Sequence, residues 1–486
     1  MSSAKQTSIK KNFFLSTLYE ILCVIVPFIT APYASRVLGA ANIGIYSYTN
    51  SILMYFSLFA LLGTATYGKR EISRTREDKN VNSKLFWEIE ILSIFTSLIA
   101  IVCWGIFILF TNEYKLYYLI LTLTLLSKMF DISWFYKGLE EFKYTVTRSS
   151  VVKILGVVCL FCFVKTEKDL WIYFLFHTGI DLFGNISMWI PLKKFLVKVN
   201  PKTFTYKNHL KSTLVYFIPT IATSIYTVLD KTLIGLITKS PEENGYYEQA
   251  TKIISIVKTL AFLSLNAVVG VRSSYLFEQN KTQEIKEKIS QTINFNLLMS
   301  FGCCAGLIGV ASNFVPLFYG PGYENVIPIL MLLSPVLLIT GISTCLNDLY
   351  FTPSGQIKKS AKYVIIGAVT NLVFNVLLIP KFKGIGAVLG TLIAESIIMI
   401  LYICFCKGFL TFSIVFKHSW KKIIAAAVMF VYLIFVKKYF SNAFILLLVQ
   451  ICGGVLIYFA LLLFLRDSAI RFIFSWINSK IKKIKK

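Results

Sequence analysis

Histidine is almost missing from this 486-residue chain, and acid is scarce: three His and 24 Asp plus Glu stand beside 50 Lys plus Arg. His177, His209 and His418 lie far apart, so a metallopeptidase H-E-x-x-H helix is excluded. There is no G-x-x-x-x-G-K-[ST] string, so the chain carries no recognisable ATP-binding loop of its own. Ten cysteines are present, yet all lie inside apolar stretches and no loop offers a disulfide pair. Cys159 and Cys162 form a C-x-x-C pattern that can be read as a metal or redox site. They sit mid-helix with no second pair, and buried packing as small hydrophobes is the other reading. Long hydrophilic segments are lacking as well, which leaves no room for a sizeable soluble domain. A membrane glycosyltransferase or polymerase is disfavoured for the same reason, because its clustered catalytic acids would need a large outer loop. No metal or cofactor is expected.

What the sequence has is apolar length. Hydrophobic residues make up 56% of it, with a mean hydropathy of +0.68. A hydrocarbon core about 30 Å thick takes roughly 20 apolar helical residues per crossing. Fourteen such stretches can be drawn, at 12–34, 42–67, 85–110, 116–137, 146–164, 169–190, 211–235, 247–272, 290–316, 325–351, 362–380, 384–406, 421–436 and 443–465. The expectation is an all-α polytopic membrane protein with about fourteen transmembrane helices. The first stretch is too long for a cleaved signal peptide and is expected to remain as a crossing.

The net charge of +26 could suggest nucleic acid, but its placement argues for a membrane. With the amino terminus in the cytoplasm, inner segments hold about 34 of the 50 basic residues and outer ones about 9, the asymmetry of positive-inside orientation. Both termini are then cytoplasmic. The inner clusters, such as Lys193, Lys194 and Lys198, suit anionic lipid headgroups.

Two short strings recur six stretches apart. Gly44-Ile-Tyr-Ser-Tyr-Thr-Asn-Ser-Ile52 resembles Gly245-Tyr-Tyr-Glu-Gln-Ala-Thr-Lys-Ile253, and Asp131-Ile-Ser-Trp-Phe135 resembles Asn347-Asp-Leu-Tyr-Phe351. An even offset gives both copies the same orientation, as in transporters built from parallel repeats. The expected parts are residues 1–200, residues 201–410, and an appendage at 411–486 holding the last two helices and a basic tail.

Charges inside apolar stretches are expensive and usually face a bundle interior or a wet pathway. Glu20, Lys128, Asp131, Arg148, Lys153, Asp181, Lys231, Lys258 and Arg272 qualify, with Arg36 at the end of the first stretch. Lys128 and Asp131 can neutralise each other, as can Glu248 and Lys252. Arg36, Arg148, Lys231 and Arg272 lie near helix ends and can snorkel to headgroups. Lys153 and Lys258 are deeper and suit a water-filled cavity. Glu20 suits either a proton- or cation-coupling carboxylate or a structural hydrogen bond.

Several strings resemble the polysaccharide flippases, the Wzx or RfbX type within the multidrug/oligosaccharidyl-lipid/polysaccharide (MOP) exporter superfamily. They are Pro32-Tyr-Ala-Ser-Arg-Val-Leu-Gly39, Gly68-Lys-Arg-Glu-Ile72, Asp131-Ile-Ser-Trp-Phe-Tyr-Lys-Gly-Leu-Glu140, Asp230-Lys-Thr-Leu-Ile-Gly235, Asn371-Leu-Val-Phe-Asn-Val-Leu-Leu-Ile-Pro380 and the run from Gly384 to Glu395. The last two stretches match no such string. The resemblance implies a V-shaped, MATE-like exporter of two parallel six-helix lobes plus two C-terminal helices. Its cargo would be undecaprenyl-diphosphate-linked oligosaccharide repeat units, moved from the inner to the outer leaflet of the bacterial cytoplasmic membrane. A polymerase and a chain-length regulator would be its partners in making O-antigen, capsule or exopolysaccharide. On that reading Arg36, Lys128, Arg148, Lys153, Lys231, Lys258 and Arg272 include the diphosphate-contacting set. Tyr46, Tyr226, Asn371 and Asn375 would bond sugar, and Glu20, Asp131 and Asp181 are candidates for the coupling ion. A MATE-like cation-coupled drug exporter is the alternative. It would want an acidic cavity, whereas the unpaired deep charges here lean basic.

Overall fold

The computed structural model describes residues 3–263, 269 and 273–471, with the side chains of residues 3–18 and 20 and thirteen between 203 and 227 outside that description. Among the described residues there are helices and turns but no strand. The helices are α1 (Ser3–Leu61), α2 (Thr64–Thr75), α3 (Lys79–Phe110), α4 (Lys115–Met129), α5 (Ser133–Gly138), α6 (Phe142–Phe163), α7 (Leu170–Ser187), α8 (Tyr206–Thr238) and α9 (Pro241–Lys258). They continue as α10 (Thr282–Tyr319), α11 (Val326–Leu333), α12 (Val336–Leu346), α13 (Ile357–Phe405), α14 (Phe412–Val436) and α15 (Ala443–Phe464). Eight helices among the described residues are long and apolar enough to cross a membrane. A ninth span results if Val326–Leu333 and Val336–Phe351, bent by 41°, count as one.

Each of the fourteen expected stretches falls on helical structure where it is described. Two of the gaps between the stretches, 35–41 and 381–383, are tight corners. The 59-residue α1 is two helices, separated where Gly39 takes φ 76° and ψ 168°, a region that L side chains avoid. Asn42 holds the corner by donating to the carbonyls of Leu38 (3.0 Å) and Glu167 (2.9 Å). Similarly, α13 turns at Lys383, with φ 50°. The repeated Asp131 and Asn347 strings both coincide with helix irregularities. The first spans the gap between α4 and α5, and the second forms a π-turn over Asn347–Phe351. Trp134 and Phe135 in one copy, and Tyr350 and Phe351 in the other, are buried.

The chain divides into two compact units, Met1–Gly235 with Ser240–Gly245, and Leu236–Lys239 with Tyr246–Lys486. In the first unit α8 is tied to α1. Thr232 Oγ1 lies 2.9 Å from Ser51 Oγ and 3.1 Å from Tyr55 Oη, and Gly235 has Tyr48 lying on it so closely that a Cβ would overlap the ring. In the same unit the two repeat glycines meet. A Cβ on Gly44 would overlap the carbonyl of Pro241, and one on Gly245 would overlap the carbonyl of Ala40.

Lipid tails are as apolar as leucine, so helices here associate through packing and interhelical hydrogen bonds. In the first unit, Asn185 Nδ2 donates to Ser127 O (2.9 Å) and Oγ (2.8 Å), and Thr96 Oγ1 to Ala60 O (2.7 Å). In the second, Asn296 Nδ2 donates to Gly341 O (2.8 Å) and Ser300 Oγ to Leu337 O (3.1 Å).

The last two helices, α14 and α15, bond to α10 within the second unit. Tyr458 Oη of α15 donates to Leu298 O of α10 (2.8 Å), Asn313 Nδ2 of α10 to Gln450 Oε1 (3.0 Å), and Gln450 Nε2 to Leu433 O of α14 (2.8 Å). The fully buried Lys422 donates to Asp467 Oδ2 (3.0 Å), Asn294 Oδ1 (2.7 Å) and His418 O (2.6 Å). The composition of these helices carries no family string, yet their polar residues find specific partners on α10.

Candidate substrate-binding site

Three of the sequence-selected residues come together in the first unit, on neighbouring faces of α1, α6 and α7. Arg148 Nη2 stands 3.9 Å from Asp181 Oδ1, with side chains 18% and 41% exposed. Its remaining contacts are long: 3.5 Å to Asp181 O and 3.4 Å from Nη1 to Ser149 Oγ. Arg148 Nε is shut from solvent with no acceptor. Instead of snorkelling to a headgroup, this guanidinium lies against α7. One turn further along α6, Lys153 Nζ sits 5.8 Å from the centre of the Tyr19 ring, a cation–π distance. The ring of His177 on α7 lies 5.6 Å from that of Tyr46 and 6.1 Å from that of Tyr173.

The other candidates are placed separately. Arg36 is exposed three residues before the Gly39 corner, and Lys231 is half-buried beside the buried Asp230. Lys258 is half-buried where α9 passes into the π-turn Thr259–Leu263. Lys128 is half-buried and its ammonium makes no hydrogen bond or ion pair with Asp131. That carboxylate instead accepts the Ser133 N–H at 2.9 Å in the turn between α4 and α5, so the expected mutual neutralisation is replaced by a bond to the backbone. The expected pairing of Glu248 with Lys252 is present at 3.4 Å. Arg272 and the side chains of Glu20 and Tyr226 lie outside the described residues.

The two asparagines read as sugar ligands lie together in α13. Asn371 and Asn375 are fully buried, Asn375 Nδ2 donating to Asn371 Oδ1 (3.1 Å) and Asn371 Nδ2 to Thr391 Oγ1 (3.4 Å). Cys162 is exposed and Cys159 half-buried, so the C-x-x-C pair is less buried than expected; all ten cysteines are free.

Sequence reasoning passed over two glutamates in α3. Glu88, 2% exposed, accepts from Thr205 N (2.7 Å) and Oγ1 (3.2 Å) and lies 3.0 Å from His209 Nε2, whose Nδ1 is 2.8 Å from Tyr67 Oη. Glu90 is fully buried; the indole N–H of Trp134 is the donor beside its carboxylate, in a contact too loose to count as a well-formed hydrogen bond, and no cation forms an ion pair with it among the described residues. The signal was available: two carboxylates at the start of the 85–110 stretch are as costly to insert as those singled out elsewhere.

Comparison with known proteins adds to this geometry. The solved lipid II flippase MurJ, in an inward closed conformation, superposes with a TM-score of 0.73 at 18% identity, covering 94% of this chain and 99% of that one. An inward-facing multidrug resistance MATE transporter of the MOP superfamily gives a TM-score of 0.56 at 13% identity, covering 86% and 100%. At such identities the likeness is one of fold. A relative from Escherichia coli (strain K12), named "Putative O-antigen transporter", is 25% identical over 431 residues, 84% of this chain and 98% of the relative. The pattern of the family described as "Polysaccharide biosynthesis protein" spans residues 9–276, more than half of the sequence, so this chain belongs to the polysaccharide biosynthesis protein family.

Proposed function

We propose that the protein is a flippase carrying undecaprenyl-diphosphate-linked oligosaccharide repeat units from the inner to the outer leaflet of the bacterial cytoplasmic membrane, by alternating access, for surface polysaccharide synthesis. The observation that carries this reading is the alignment along 98% of an Escherichia coli relative named for O-antigen transport. The physical need is plain. A diphosphate and its sugars cannot enter hydrocarbon without compensation, and half-buried cations such as Arg148 and Lys153 supply it. Arg36, Lys128, Lys231, Lys258 and Arg272 complete the proposed diphosphate set. Glu90 joins Glu20, Asp131 and Asp181 as a proposed site for the coupling ion, because a buried carboxylate with no ion-paired cation among the described residues favours a bound proton or cation.

On this reading the protein transports and makes no bonds, its termini are cytoplasmic, and a polymerase and chain-length regulator act on its delivered cargo. The repeat strings suit two moving halves, residues 1–200 and 201–410. Deleting the gene and restoring it tests the function. Loss of surface polysaccharide with lipid-linked repeat units accumulating inside, reversed by the restored gene, is the expected result. Normal polysaccharide with altered drug tolerance would favour the drug-exporter alternative.

A further inference from the structure

A groove of about 550 Å³ runs between α6 and α7 in the first unit, within the volume range of small-molecule sites. Its two ends differ in chemistry. Lys143, Thr147 and Arg148 line one end together with Ser187 and Pro191, while Val151, Leu155 and Phe183 line the other. The apolar wall opens outward, with Val151 48%, Leu155 46% and Phe183 73% exposed, as expected for a gutter facing lipid. From Lys143 to Leu155 the groove follows roughly 18 Å of helix at 1.5 Å per residue. Gly184 makes it possible, because a Cβ there would overlap Val152 and stand 3.1 Å from Arg148 Nε.

The cationic end is under-satisfied. Arg148 carries five N–H donors and, among the described residues, spends them on contacts of 3.4 to 3.9 Å, with Asp181 the one carboxylate within ion-pair reach and Nε left without an acceptor. Lys143 is exposed, and just past Pro191 stand the exposed Lys193 and Lys194. A site with a cationic head and a single apolar gutter complements an amphiphile with a phosphate head and one hydrocarbon chain. A glycerophospholipid brings two chains and fits one gutter poorly.

We propose that this groove docks the polyprenyl phosphate end of the lipid carrier, its phosphate on Arg148 and Lys143 and its first isoprene units along Val151, Leu155 and Phe183. The inference rests on the flippase reading and adds to it a membrane-facing docking position on the α6/α7 surface. The test uses the full chain in phosphatidylcholine nanodiscs, with undecaprenyl monophosphate as probe and native mass spectrometry as readout. Undecaprenol, phosphatidylglycerol and inorganic phosphate serve as competitors. The expected result is retention of undecaprenyl monophosphate, weakened about tenfold or more in Arg148→Gln, the scale of a lost charge-assisted hydrogen bond. Val151→Trp, which fills the gutter from a lipid-facing position, should weaken it similarly while leaving the protein monodisperse. Equal binding by both variants, or equal competition by phosphatidylglycerol or inorganic phosphate, overturns the proposal. Wild-type complementation with unaffected variant binding sinks the groove alone. Failed complementation with variant-sensitive binding sinks the flippase reading alone.

Discussion

Replacing Lys422 with methionine should cost the second unit about 3–5 kcal/mol, the range for breaking a buried ion pair from one side. The figure follows from full burial. Lys422 uses all three ammonium donors on Asp467, Asn294 and the His418 carbonyl, and Asp467 is itself 3% exposed, its other oxygen accepting the Ala469 N–H at 2.8 Å. Methionine fills the space of the lysine stem but leaves the carboxylate uncompensated in a low-dielectric setting. The double variant Lys422→Met/Asp467→Leu removes both charges and should recover most of the loss, since apolar replacement of a whole buried pair is often neutral. The assay is the fraction of detergent-solubilised protein that stays monodisperse after heating. The single variant should fall by on the order of 10 °C in midpoint, with the double variant between it and the wild type or level with the wild type. A single variant within about 1 kcal/mol of wild type, or a double variant no better than the single, would refute the reasoning.

Glu88→Ala should destabilise the first unit by about 2–4 kcal/mol in the same heating assay, because it strands the Thr205 N–H and His209 together; an unchanged midpoint would show that these groups find other partners. Lys153→Ala and Lys258→Ala should each slow flipping without impairing membrane insertion, scored by accumulation of lipid-linked repeat units in cells; normal export in both removes them from the pathway. In the turn before α7, the Lys165 N–H and then the Thr166 N–H, at 2.9 and 2.8 Å, hold the Asp169 carboxyl below its usual pKa. A lowered folded value means that its contribution is complete above about pH 3.9 and fades as pH falls through the folded pKa. Hydrogen exchange should therefore find the Lys165 and Thr166 amides losing protection only in strong acid, and loss of protection near neutral pH would contradict this.

The sequence made the helices legible and their partnerships much less so. Apolar run length reports on crossing a bilayer, which is why all fourteen stretches fall on helix where described. Corners were partly legible: the gaps drawn at 35–41 and 381–383 contain the breaks at Gly39 and Lys383, but run length does not tell that the chain passes them in a tight corner and not in a loop. Asp131 looked like a partner for Lys128 by helical spacing, but α4 ends at Met129 and the carboxylate turns to the Ser133 N–H instead. Lys422 reads in sequence as half of an ordinary Lys-Lys pair at a helix end. Its acid lies 45 residues away, a distance over which hydropathy carries no information. The cations at Arg148 and Lys153 were legible because insertion cost marks them whatever their surroundings. The poor satisfaction of Arg148 depends on where α7 happens to lie.

The meeting of Gly44 with Gly245 bears on how any mutational survey of this protein should be interpreted. A junction formed by bare backbone cannot be weakened by trimming side chains, but any side chain added there wedges it apart. Both positions will therefore score as intolerant, much like residues that grip cargo, although neither has a group with which to grip. A transport defect at either glycine measures helix spacing, and ranking such positions beside the cations would overstate the size of the recognition surface.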